Sequence, residues 1–172
     1  MSQFSKVSFL FKILTYAPLI LLMISVFNEF DFNYLEIEYF SFNFPFILIF
    51  YWSLKKSESL GYGFIFLAGL INDVVIGFPI GISSLSYLLI CSFAAYLRNI
   101  TLRPSLVKDW VFFVFTILVV SSFIYSILVF FFSYKINYVE LILNIFFTSL
   151  LYVFFAYIFQ FYQRLVFGKE YV

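Results

Sequence analysis

The chain has 172 residues, of which 65% are hydrophobic and 11% charged, with a net charge of +1. Soluble domains carry about 25% charged residues, and small ones leave much of their surface in water, so this composition excludes an ordinary water-soluble domain. The near-neutral balance points to no nucleic acid partner, and the absence of histidine removes the commonest metal ligand and the commonest general base.

A hydrocarbon core of about 30 Å takes about 20 helical residues. Six apolar segments stand out, at about 8–27, 40–54, 62–76, 80–97, 110–133 and 139–161. They predict one polytopic domain over 1–172, an all-α integral membrane bundle of about six transmembrane helices. Segments two to four are short, which predicts upright helices, use of flanking aromatic residues, or local thinning of the bilayer. A transmembrane barrel needs strands that alternate apolar and polar residues, and stretches such as Phe112 to Phe132 are apolar throughout.

The N-terminus carries Lys6 and Lys12 and then a long apolar run, Ile13 to Phe27, that ends in Val26-Phe27-Asn28-Glu29. A cleaved signal peptide is the competing reading, but its apolar core would be shorter and would end in a small-x-small site, so an uncleaved helix is expected. From Phe30 to Phe44 polar residues recur in pairs two apart: Asp31 and Asn33, Glu36 and Glu38, Ser41 and Asn43. Period two describes either an irregular outer loop lying on the membrane or a short strand with an unpaired edge.

Basic residues orient the chain. With the N-terminus in the cytoplasm, Lys6, Lys12, Lys55, Lys56, Arg98, Arg103, Lys108, Arg164 and Lys169 fall inside and only Lys135 outside. Both termini are therefore expected in the cytoplasm, in an inner (cytoplasmic) membrane crossed several times. Trp52 and Trp110 each stand within three residues of an inner lysine, as aromatic residues do at headgroup level. Arg98, Arg103 and Lys108 predict a basic cytoplasmic loop that meets anionic lipid headgroups or a cytoplasmic protein. The 29 phenylalanines predict lipid-facing bulk. Cys91, the single cysteine, predicts a small buried side chain.

The third segment carries the one acid well inside an apolar span, Asp73. Gly69, Asp73 and Gly77 are four apart and are expected on one helical face, with Asn72 partly around the cylinder. Small residues let another backbone approach, and the carboxyl can meet Ser83, Ser84 and Ser86 of the fourth segment or its free N–H groups. Gly77, Pro79 and Gly81 predict a tight outer turn. A buried carboxyl without a cation is expected to be neutral or held by that turn. Three readings of this motif stand: fixing a helical hairpin, binding a partner protein, and transport or proton relay. Neither metal nor cofactor is expected, and no nucleophile–base pair is visible.

The stretch Gly61 to Leu89, with Gly69, Asp73, Gly77, Pro79 and Gly81 in order, resembles the bacterial rod shape-determining protein MreD family. The resemblance implies a non-enzymatic scaffold or adaptor in cell-wall elongation and cell-shape maintenance. It implies work alongside an MreC-like periplasmic scaffold, actin-like MreB and the peptidoglycan glycosyltransferase–transpeptidase pair, besides membrane lipids. It also implies a fold similar to the substrate-binding subunits of energy-coupling-factor transporters. A solute-binding transporter subunit is thus the alternative. Against it, Ala17 is followed four residues later by Leu21, so the small-residue docking surface of the first helix is missing, and a polar outer cavity is not evident. A lipid-modifying enzyme is a third reading, disfavoured by the lack of histidine and clustered acids.

Overall fold

The computed structural model describes residues 16–27, 41–55, 60–100, 105–135 and 137–167. Lys6, Lys12, Glu29, Asp31, Asn33, Glu36, Glu38, Lys56, Arg103 and Lys169, and with them most of the alternating segment, lie outside the described residues.

The described residues form helices α1 (Tyr16–Phe27), α2 (Phe44–Lys55), α3 (Tyr62–Ile76), α4 (Ile82–Ile100), α5 (Leu106–Phe132) and α6 (Tyr138–Phe167). Two of them, over Leu106–Phe132 and Tyr138–Arg164, are long and apolar enough to cross a membrane. Local chemistry moves several ends away from the expected spans. Helix α2 starts at Phe44, with Pro45 in the first turn where its missing N–H costs nothing. Helix α4 starts at Ile82, behind a structured turn, and runs on through Arg98 to Ile100. Helix α5 starts at Leu106, four residues before the expected span, and so takes in Lys108 and Asp109.

Helix α2 is apolar all round and ten of its twelve residues are buried, as befits a central helix. It packs on α4 and α6; α4 packs on α5, and α5 on α6, which closes a ring of four. Helix α3 lies outside that ring, against α4. Only one stripe of α3 is buried, Ile65, Ala68, Gly69, Asn72 and Asp73, at the three-and-four spacing of a one-sided helix.

Aromatic rings fill the seam between α2, α5 and α6. Phe113 stacks on Tyr152 at 4.1 Å, Phe50 meets Phe113 at 5.0 Å, and Phe44 meets Phe155 at 4.8 Å edge-on. Trp52 sits in this seam beside Phe159 and Tyr162 and is 2% exposed. It is therefore a core residue packed between helices, in the last turn of α2. The aromatic excess likewise serves two ends: Phe130 and Phe131 are almost bare, whereas Phe50 and Phe113 are wholly enclosed. Ring packing of this kind, with the hydrogen bonds between helices, joins α2, α5 and α6.

Candidate functional site

The α3–α4 hairpin is built around Asp73. Helix α3 ends at Gly77, which takes the left-handed conformation (φ 78°) that only glycine adopts at no cost. The N–H groups of Gly77 and Phe78 both donate to the Asp73 carbonyl, at 2.9 and 3.0 Å. The chain then turns through Pro79 to Gly81 (φ 104°) and enters α4. Here the Asp73 side chain closes the turn. The Gly81 N–H donates to one carboxyl oxygen and the Ser83 N–H to the other, both at 2.7 Å. These are orphan donors of a helix start, and a carboxyl there also opposes the positive end of the helix dipole.

Two further bonds zip the hairpin. Asn72 Nδ2 donates to Ser83 Oγ at 2.9 Å, and Ser84 Oγ donates to the Phe66 carbonyl at 2.9 Å. Between them the helices touch at Gly69, where any Cβ would overlap the Ser84 backbone. Gly77 is different from the expectation. It lies beyond the end of α3 and a Cβ there would meet nothing, so it shapes the turn and takes no part in the close approach. Pro79 accepts the Ile82 N–H at 3.3 Å within the same turn.

At this hairpin, between α3 and the ring of four helices, is a cavity of about 80 Å³. Asn43, Asn72, Ser83, Ser86, Ser121 and Asn144 bring polar atoms to its wall. It adjoins a second space of about 300 Å³, through shared walls at Ile76, Phe78, Tyr125 and Asn144. This vestibule is lined by Ser41, Tyr134, Lys135, Asn137 and Glu140, so it carries charge of both signs. Two tethers hold α6 against the entry to α2: Asn144 Nδ2 donates to Ser41 Oγ at 3.0 Å, and the Asn43 N–H donates to Thr148 Oγ1 at 2.9 Å. Phe78 meets Tyr134 edge-on at 5.6 Å, so the α3–α4 and α5–α6 turns share this end of the molecule. A cavity with a partly polar wall is therefore present at this end, where the sequence made none evident. Its wall comes from five helices, and no local stretch of sequence displays it.

The opposite end holds the other polar cluster. Lys55 Nζ, at the end of α2, lies 2.9 Å from Asp109 Oδ2 in the first turn of α5. Asp109 is buried, and each charge sits at the helix end whose dipole favours it. Arg98 Nη1 reaches the Ser53 carbonyl at 3.5 Å, Tyr51 donates to Gln163 Oε1 at 3.1 Å, and Trp110 Nε1 donates to the Ser149 carbonyl at 2.9 Å. Sequence reasoning missed Asp109, because a Lys108-Asp109-Trp110 start looks like an ordinary membrane border. The usable signal was an acid in the first turn of a helix. Arg98 and Lys108 are helical, in the last turn of α4 and the first of α5, and Arg103 lies outside the described residues.

The chain was compared with known families, proteins and structures. The family of the rod shape-determining protein MreD matches residues 6–167, nearly the whole chain. No curated protein and no solved structure matches it.

Proposed function

The chain belongs to the MreD family of rod shape-determining proteins, and from that premise we propose that it is a multi-pass, non-enzymatic scaffold of the bacterial wall-elongation machinery. In this reading the helices cross the cytoplasmic membrane with both termini inside. Among the described residues, Lys55, Arg98, Lys108 and Arg164 belong to helix ends on one side of the bundle, and Lys135 to the turn at the other. The basic side faces the cytoplasm by the positive-inside rule, where anionic headgroups and an actin-like MreB filament are its neighbours.

The observation that carries the reading is the polar vestibule at the opposite, outward end. It lies beside the α3–α4 turn and the start of α6, next to the tethers on Asn43 and Asn144, and it offers both charges and amides to a visitor. A short segment of an MreC-like extracytoplasmic scaffold fits such a surface, and the peptidoglycan glycosyltransferase–transpeptidase pair is then recruited alongside. The test is replacement of the native gene in a rod-shaped host by the Asn144→Trp variant, which fills the vestibule. The variant should accumulate normally, fail to restore rod shape, and lose co-purification with the MreC-like protein. Normal shape with normal co-purification would reject the reading.

The cavity also gives a second reading some support, that of a solute-binding subunit similar to those of energy-coupling-factor transporters. The inner cavity alone, about 80 Å³, holds a few waters or one polar side chain and is smaller than small-molecule pockets of about 300–1,000 Å³, so a solute would have to occupy the adjoining space of about 300 Å³ as well. A stoichiometric small molecule extracted from the purified protein would favour this alternative.

A further inference from the structure

Helices α5 and α6 are joined in the halves nearer Asp109 by the Phe113–Tyr152 stack and by the Trp110 hydrogen bond to the Ser149 carbonyl. Toward the other end a groove of about 420 Å³ lies between them. Ser122 and Ser126, one turn apart on α5, are small enough to leave this space, and Ser126 turns its hydroxyl back to the Ser122 carbonyl at 2.7 Å. The larger side chains of the groove are apolar and exposed: Leu118, Val129 and Phe130 from α5, and Ile142 from α6.

The groove borders the polar vestibule. On α6 the groove takes Tyr138, Ile142 and Ile145, and the vestibule takes Asn137, Glu140 and Asn144. These are adjacent faces of one helix, and they meet at Leu141, which lines both spaces. On α5, Tyr125 stands at the same border and also lines both. An apolar slot thus abuts a chamber that carries Lys135 and Glu140. Among the described residues neither of these takes part in an ion pair, so both charges are open to a ligand.

We propose that the two spaces together hold one phospholipid with a primary-amine headgroup, of the phosphatidylethanolamine kind, with acyl chain in the α5–α6 groove and headgroup in the vestibule. This rests on the membrane-spanning reading above, and it adds a lipid to one wall of the surface offered there to the MreC-like segment. Charge decides the headgroup. Lys135 matches the phosphate, and the Glu140 carboxylate matches the ammonium, whose N–H groups make a charge-assisted hydrogen bond that a quaternary amine cannot. An anionic headgroup without an amine leaves Glu140 facing like charge. Width decides the occupant of the groove. From Leu118 to Val129 is about 16 Å along α5, so the space of about 420 Å³ has a section of about 25 Å². A helix about 10 Å across has a section of about 80 Å² and would lie over the groove without filling it, whereas an acyl chain fits inside.

The full chain is purified in detergent, stripped of lipid and titrated with phosphatidylethanolamine, phosphatidylcholine or phosphatidylglycerol carrying the same acyl chains. Native mass spectrometry counts the bound lipid. One phosphatidylethanolamine should bind about tenfold or more tighter than either of the others, the worth of one charge-assisted hydrogen bond. Glu140→Gln should abolish its advantage over phosphatidylcholine. Ser126→Trp, which fills the groove, should weaken its binding by about tenfold or more at an unchanged thermal midpoint. Equal affinity of the three lipids for the unaltered chain overturns the proposal, as does unchanged binding to Ser126→Trp. Should Ser126→Trp unfold, Glu140→Gln alters only an exposed side chain and still decides, because persistence of the preference overturns the proposal. No partner protein is present, so these outcomes bear on the lipid and leave the scaffold reading to its own test. A chain that disperses in water without detergent overturns the membrane-spanning reading, and the lipid with it.

Discussion

Asp73 accepts four backbone N–H groups, two at its carbonyl and two at its carboxyl, and so determines both the end of α3 and the start of α4. Asp73→Leu leaves the buried Ser83 donor without its partner, at a cost of about 1–3 kcal/mol, and the part-buried Gly81 donor at a smaller one. Thermal unfolding in detergent should show a large loss for Asp73→Leu and a smaller one for Asp73→Asn, which keeps one acceptor. Equal midpoints for all three proteins would show the turn is held by other means. The second prediction concerns Lys55 and Asp109. Lys55→Met strands a buried carboxyl and should destabilise by about 2–3 kcal/mol. The pair Lys55→Met and Asp109→Leu should lose less than Asp109→Leu and Lys55→Met summed, as a double-mutant cycle in the same assay would show. The two acids differed in legibility for a physical reason. Asp73 meets partners eight and ten residues away, so glycine, proline and serine spacing announces it. Asp109 meets a lysine 54 residues away, and nothing between them does.

At the scale of elements, burial and length separate two kinds of apolar helix. Composition alone makes α2 and α5 look alike, yet α2 is buried on every side and α5 keeps one long bare face. A charge on that bare face should oppose insertion. Val119→Arg, at the middle of α5, is expected to cost about 3 kcal/mol of insertion free energy. An assay in which α5 is inserted between glycosylation sites measures this directly, and unimpaired insertion would argue that α5 is not lipid-facing. Helix α6 gives the corresponding lesson about aromatic residues. Sequence offers Phe146, Phe154 and Phe155 as equivalent, but Phe155 packs on Phe42 and Phe44 while the other two are bare. Which ring faces lipid is decided by a half-turn of helix relative to neighbours, and sequence does not contain that angle where both surroundings are apolar.

At the scale of the molecule, the two ends differ in chemistry: a part-buried ion pair and bases at one, a polar cavity and vestibule at the other. The topology that follows is testable in Cys91→Ser cells. Lys135→Cys should react with an impermeant thiol reagent added outside, and Lys108→Cys only after the membrane is opened; the reverse pattern would invert the orientation. The sequence by itself determined that the chain is helical, that it is built from long apolar segments, and that a glycine–aspartate–proline turn joins α3 to α4. Those properties follow from composition and from residues near one another in the chain. Only tertiary structure decided that Trp52 is core, that Lys55 pairs with Asp109, and that Asn43, Asn72, Ser83, Ser121 and Asn144 surround one cavity. Each of these depends on the rotation and offset of helices distant in sequence, which are selected by the packing of apolar surfaces that lipid alone would satisfy equally well.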